Sequence, residues 1–159
     1  MKFLAFIILL LASSAAVAGT YSVNVTRKSQ NLYKVTGKDI FIATQYCYEY
    51  VYSEDSVLQF SYGSGKIIFP DEGSSCDVKA IYGVANVTAG TYDITVNQDE
   101  DDWYESSDVG VYIHTDGCLS LALGEEAVLK IGPGGYGKII FVNESVSCTV
   151  DGVYTKLRL

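Results

Sequence analysis

Proline, histidine and positive charge are all scarce in this chain, and each scarcity removes a class of protein. The 159 residues include 2 Pro, 1 His and 11 Lys plus Arg against 19 Asp plus Glu, a formal charge of −8. One histidine rules out His-rich metal sites and leaves little for imidazole-based catalysis. An acidic chain lacks the cationic surface that releases counterions from phosphate, so no nucleic-acid partner is expected. Spanning a bilayer takes about 20 apolar residues, and no run here is that long, so no membrane span is expected. Sustained helical periodicity is missing throughout, which argues against an α fold.

What is present is apolar and β-forming. Hydrophobic residues make up 48% of the chain, enough for a packed core, and 13 Tyr stand among many Val, Ile and Thr. The N-terminus reads as a secretory signal over residues 1–18: Met1-Lys2, an apolar run from Phe3 to Ala12, and a close on Ala16-Val17-Ala18. The expected location is secreted or periplasmic. Export makes Cys47, Cys76, Cys118 and Cys148 candidates for disulfides rather than catalytic thiols. Asn24, Asn86 and Asn143 each head an Asn-x-Ser/Thr triplet, a glycan acceptor in a eukaryotic secretory pathway and meaningless in a bacterial one.

Sliding the chain over itself by 71 residues exposes an internal duplication. Thr20–Val25 falls on Thr91–Val96, Tyr33 on Tyr104, Ile40–Ile42 on Val111–Ile113, and Cys47 on Cys118. One inserted residue near Tyr136 shifts the offset to 72. Gly65-Lys66-Ile67-Ile68-Phe69 then matches Gly137-Lys138-Ile139-Ile140-Phe141, and Cys76 matches Cys148. The expected organisation is two tandem β units, residues 19–89 and 90–159. Each is a small antiparallel sandwich or partly open barrel of five or six short strands. Gly37-Lys38 and Gly63-Ser64-Gly65 mark hairpins, while Ser53-Glu54-Asp55 and Gly124-Glu125-Glu126 read as turns. The repeat allows three disulfide pairings; the local one, Cys47–Cys76 with Cys118–Cys148, is preferred because it staples each marginally sized unit. The connector Gly83–Gly90 carries no charge, so the units are expected to pack together.

Two segments stand out as candidate binding surfaces. Asp99, Glu100, Asp101, Asp102, Trp103, Tyr104 and Glu105 combine the densest charge with the only Trp, and the matching stretch of the first unit is basic. Residues 20–90 hold 6 basic and 7 acidic side chains, whereas residues 91–159 hold 4 and 12. This divergence at an expected loop suits docking of a basic protein, with carboxylates steering and aromatics anchoring. Calcium is disfavoured, because Trp103 occupies a ligand position of the EF-hand spacing and no Gly follows. The second segment is Tyr46, Tyr48, Tyr50 and Tyr52, which share one face of an extended chain and suit carbohydrate stacking. The corresponding positions of the second unit, Gly117, Leu119, Leu121 and Leu123, read as a buried strand face. By that analogy Tyr48, Tyr50 and Tyr52 are expected in the core, with hydroxyls reaching an edge.

No constellation supports catalysis. Gly63-Ser64-Gly65-Lys66 lacks the rest of a phosphate loop, and His114 with Asp116 lacks a nucleophile elbow, so His114 is expected at a surface or edge. No metal or cofactor is expected. The leading expectation is an exported, non-catalytic binding protein, inhibitor-like, whose acidic/aromatic loop engages a basic partner. A carbohydrate-binding module and a structural or assembly protein are the alternatives.

Overall fold

The computed structural model describes residues 19–61 and 63–158; the expected export signal lies outside the described residues. The chain is all-β, with twelve strands: β1 Gly19–Ser29, β2 Leu32–Val35, β3 Ile40–Gln45, β4 Glu54–Ser61, β5 Ser64–Phe69, β6 Ser74–Val84, β7 Gly90–Glu100, β8 Trp103–Ser106, β9 Val111–Thr115, β10 Leu123–Ile131, β11 Gly137–Phe141 and β12 Val146–Lys156. Antiparallel pairing runs β6-β3-β2-β1-β4-β5, and β5 returns to β6. The second half repeats the circuit as β12-β9-β8-β7-β10-β11, closed by β11 against β12. Each unit is therefore a closed six-stranded barrel rather than a sandwich or a partly open one, and closure removes free strand edges.

Period-2 alternation drives each barrel. In Lys66-Ile67-Ile68-Phe69 the buried Ile67 and Phe69 alternate with the exposed Lys66, and Lys138-Ile139-Ile140-Phe141 does the same. The first core gathers Val25, Tyr33, Ile42, Leu58, Ile67, Phe69 and Ile81. The second gathers Val96, Tyr104, Ile113, Leu129, Ile139, Phe141 and Val153, the same positions shifted by the repeat. Each such side chain stabilises by roughly 1.5–3 kcal/mol when fully enclosed. The disulfides are the local pair, Cys47–Cys76 and Cys118–Cys148, each spanning 5.5 Å between Cα atoms. They fit an oxidising compartment.

The barrels meet along a seam where β6 pairs with β12 through Tyr82↔Lys156, Gly83↔Thr155 and Val84↔Tyr154. Shifted by 72 residues, this set of pairs maps onto itself in reverse, so an internal pseudo-twofold axis passes between Gly83 and Thr155. Leu32, Phe41, Ala43, Ala80, Tyr82, Trp103 and Tyr154 form a third buried cluster across the seam. The units pack together as the uncharged connector predicted, and Ala85 and Val87 of that connector lie against the second core.

Two expected turns are corrected. Glu54 and Asp55 already pair with Val25 and Asn24 in β4, and Glu125 and Glu126 pair with Val96 and Thr95 in β10. Only the first residue of each expected turn departs from regular strand geometry: Ser53 (φ 51°) precedes β4, and Gly124 (φ 65°) sits at a register shift within β10.

Candidate functional site

The tyrosine row is the largest departure from the sequence expectation. Tyr46, Tyr48, Tyr50 and Tyr52 are not core: they are 69–87% exposed on the extended connection between β3 and β4. Leu119, Leu121 and Leu123 of the second unit are 78–92% exposed, so the analogy that placed the tyrosines inside also fails. The inward face carries Cys47 and Val51 in one unit, and Cys118, Ser120 and Ala122 in the other. A disulfide-bonded cysteine belongs inside, and period-2 geometry then forces both neighbours outward. That signal was in the sequence: an enclosed tyrosine face and an enclosed Cys47 are incompatible in an extended segment.

Both ridges are held at the same points. The Arg27 amide donates to the Val51 carbonyl at 2.9 Å, and the Gln98 amide to Ala122 at 2.8 Å. Buried Tyr33 donates its hydroxyl to the Glu49 carbonyl at 2.9 Å, and Tyr104 donates to the Ser120 carbonyl at 2.7 Å. Burial pushes each of these phenols up to about 12. Asn31 Oδ1 accepts the Cys47 amide at 2.8 Å, and Asp102 Oδ1 accepts the Cys118 amide at 2.9 Å. The Arg27 guanidinium sits over the Tyr50 ring, 4.4 Å from its centroid. The ridges begin and end on left-handed residues: Gly117 and Gly124 in the second unit, but Tyr46 (φ 50°) and Ser53 in the first.

The acidic segment is split by the fold. Asp99 and Glu100 end β7, Asp101 and Asp102 form the turn, and Trp103, Tyr104 and Glu105 belong to β8. Trp103 is 3% exposed and Tyr104 is fully enclosed, so neither ring is available to anchor a partner. Lys79 Nζ binds Asp99 at 3.1 Å and Glu100 at 3.2 Å, and the Tyr82 hydroxyl donates to Asp99 at 3.2 Å. Glu105 accepts from the Tyr112 hydroxyl at 2.9 Å. Asp102 repeats the structural duty of Asn31. Asp101 alone of the carboxylates in this set is exposed.

His114 is partly buried on β9, between β8 and β12, rather than at a free edge. Its side chain is 21% exposed, and its ring packs 4.8 Å from Trp103 and 5.6 Å from Phe41. Nδ1 lies 3.8 Å from Asp151 Oδ2, yet burial lowers the imidazole below its ordinary value, outweighing Asp151, Asp102 and Asp116. Among the described residues, no group of three or more His, Cys, Asp or Glu is arranged to hold a metal ion. No helix among them is long and apolar enough to cross a membrane. No family model, no curated protein and no solved structure matches the chain.

Proposed function

We propose that the protein is an exported, non-catalytic binding protein that grips a partner protein through its tyrosine ridge, with the leucine ridge as a second contact. The observation that carries this reading is the matched exposure of seven large side chains on two rigidly pinned connections. Leaving that much apolar and aromatic surface in water is unfavourable, and such surface on a well-ordered protein marks an interaction site. Tyrosine is suited to the task, since it offers a large rigid area at low conformational cost together with a polar tip. Left-handed Tyr46 and Ser53 support the same reading. The duplicated unit uses glycine at both positions, so the first unit keeps a strained backbone where its aromatic surface is displayed.

The anionic character of the second barrel gives the partner a sign. Asp116, Glu125 and Glu126 flank the leucine ridge in the chain, which suits a basic partner. Contact through Asp99–Glu105 is a weaker reading than it was from sequence, because Lys79 neutralises two carboxylates there and both rings are enclosed.

The test begins with partner capture from native extract at low and high salt, followed by titration of the purified partner. Replacing Tyr48, Tyr50 and Tyr52 together by Ser is expected to weaken binding more than about tenfold, the effect of losing aromatic anchors. Asp99→Asn with Asp101→Asn is expected to leave affinity within about twofold and to alter mainly its salt dependence. Full affinity in the tyrosine variant would remove the proposal. A second reading, carbohydrate stacking, is favoured by the four exposed rings on one connection. It predicts salt-independent retention on a polysaccharide column, lost in the tyrosine variant and kept when Leu119, Leu121 and Leu123 become Ser.

A further inference from the structure

Barrel closure uses up the strand edges, but one row of backbone in each unit stays unpaired, and both rows lie on the ridges. In an extended chain the N–H and C=O of one residue leave by the same edge, and those of the next residue by the other. On the tyrosine ridge the carbonyls of Glu49 and Val51 are taken from the barrel side, by the Tyr33 hydroxyl and the Arg27 amide. Tyr48, Tyr50 and Tyr52 alternate with them. Among the described residues, neither the amides nor the carbonyls of these three form a hydrogen bond. The second unit repeats the pattern: the Ser120 and Ala122 carbonyls are bonded from within, while the backbones of Leu119 and Leu121 are not bonded. A row of outward donors and acceptors at strand spacing is what another extended chain pairs with.

The charge around the tyrosine ridge says what kind of chain. Glu49 lies on the ridge, Glu54 begins β4 at its end, and Asp71 and Glu72 are exposed on the turn after β5. Burial, together with the like charges of Glu72, Asp71 and Glu49, raises the Glu54 carboxyl above its ordinary value. Among the described residues none of the four forms an ion pair, and the buried Glu54 Oε1 has no hydrogen-bond donor. Arg27, the cation beside the ridge, is committed to the Tyr50 ring and the Ser29 carbonyl. A second copy of this chain would bring carboxylates to carboxylates at either ridge, since Asp116, Glu125 and Glu126 border the leucine row. A basic segment is the complementary one.

We propose that the tyrosine ridge binds an extended, basic segment of its partner as an added strand, with backbone paired to Tyr48, Tyr50 and Tyr52 and cationic side chains toward Glu49, Glu54, Asp71 and Glu72. This rests on the tyrosine ridge being the contact surface, and it names a strand rather than a folded surface as what the ridge holds. Aliphatic residues alternating with the basic ones lie along the three rings.

The probes are three acetylated, amidated peptides titrated into the disulfide-bonded protein at neutral pH: Lys-Val-Lys-Val-Lys-Val-Lys, the same sequence N-methylated at every residue, and Glu-Val-Glu-Val-Glu-Val-Glu. The basic peptide is expected to bind saturably, the N-methylated one about tenfold more weakly, and the acidic one not at all. Amide exchange read residue by residue should slow about tenfold at Tyr48, Tyr50 and Tyr52 when the basic peptide is bound, and stay unchanged at Glu49 and Val51. Glu49→Gln with Glu54→Gln should weaken that peptide about fivefold, with retained circular dichroism showing that the variant is folded. Equal binding of the basic and N-methylated peptides, no saturation up to about 10 mM, or protection confined to other segments would overturn the proposal. So would concentration-dependent self-association that protects the same amides without peptide, since the edge would then belong to a second copy. If the native partner is still lost when the three tyrosines become Ser, the ridge remains the contact and only the added strand is removed.

Discussion

Gly65 and Gly137 open the longest identity between the units, yet their surroundings differ. A Cβ on Gly137 would overlap the carbonyl oxygen of Lys130, a backbone atom across the β10–β11 ladder. A Cβ on Gly65 would press first on the Phe60 ring, a side chain rather than backbone. Gly137→Ala is therefore expected to cost about 3 kcal/mol and Gly65→Ala about 1 kcal/mol, measured by urea unfolding. Tyr46 offers a change of the opposite sign. Its left-handed backbone is strained by an aromatic side chain, and Gly117 shows what the position tolerates. Tyr46→Gly is expected to raise stability by about 1 kcal/mol while weakening partner binding, an exchange that separates strain from scaffold. Loss of stability in that variant would show that the ring packs usefully where it stands.

The element-level plan was largely legible in sequence, because duplicated positions do duplicated work. Ile67, Phe69, Ile139 and Phe141 alternate into the cores, and the cysteines pair locally. Barrel closure was not legible, since no single strand states whether its far edge is taken. The β3–β4 and β9–β10 connections were misread because alternation alone does not say which face is inside; the cysteines do. Each disulfide closes about thirty residues and pins a ridge from below. Cys118→Ser with Cys148→Ser is expected to cost roughly 3–4 kcal/mol and to raise amide exchange over residues 117–123 selectively. Tyr104→Phe, which frees the Ser120 carbonyl, should raise exchange in the same segment for a cost of only about 1–2 kcal/mol. Uniform exchange changes along the second barrel would contradict the pinning of the ridge by these two fastenings.

Across the whole molecule, buried phenols link stability to alkaline pH. Burial pushes Tyr33, Tyr104, Tyr112 and Tyr154 up to about 12, and Tyr82, beside Asp99, is raised further still. Their contribution is complete below the unfolded value of about 10 and is lost as pH rises through the folded values, because only the unfolded chain ionises freely in between. The protein is expected to unfold between pH 10 and about 12, with phenolate absorbance from these residues rising together with loss of β circular dichroism. Three of the five lie at the seam, so both barrels should go in one transition. Two separated transitions would show that the seam does not couple them. The seam itself was foreshadowed only by the uncharged connector. Its asymmetry was invisible, because Leu32 opposite Trp103 looks like an ordinary substitution until both stand on one axis.

The short connector between β6 and β7 has a consequence for that asymmetry. Two free barrels of this kind would need an interface tight enough to find each other in dilute solution. Joined by residues 85–89, with the Ala85 amide bonded to the Val153 carbonyl at 2.8 Å, they meet at an effective concentration on the millimolar scale. Contact surface that a freely dissociating dimer would have to keep is thereby released from holding the halves together. A covalently joined couple can keep Leu32 on one side of its axis where the other side has Trp103, and still remain a couple.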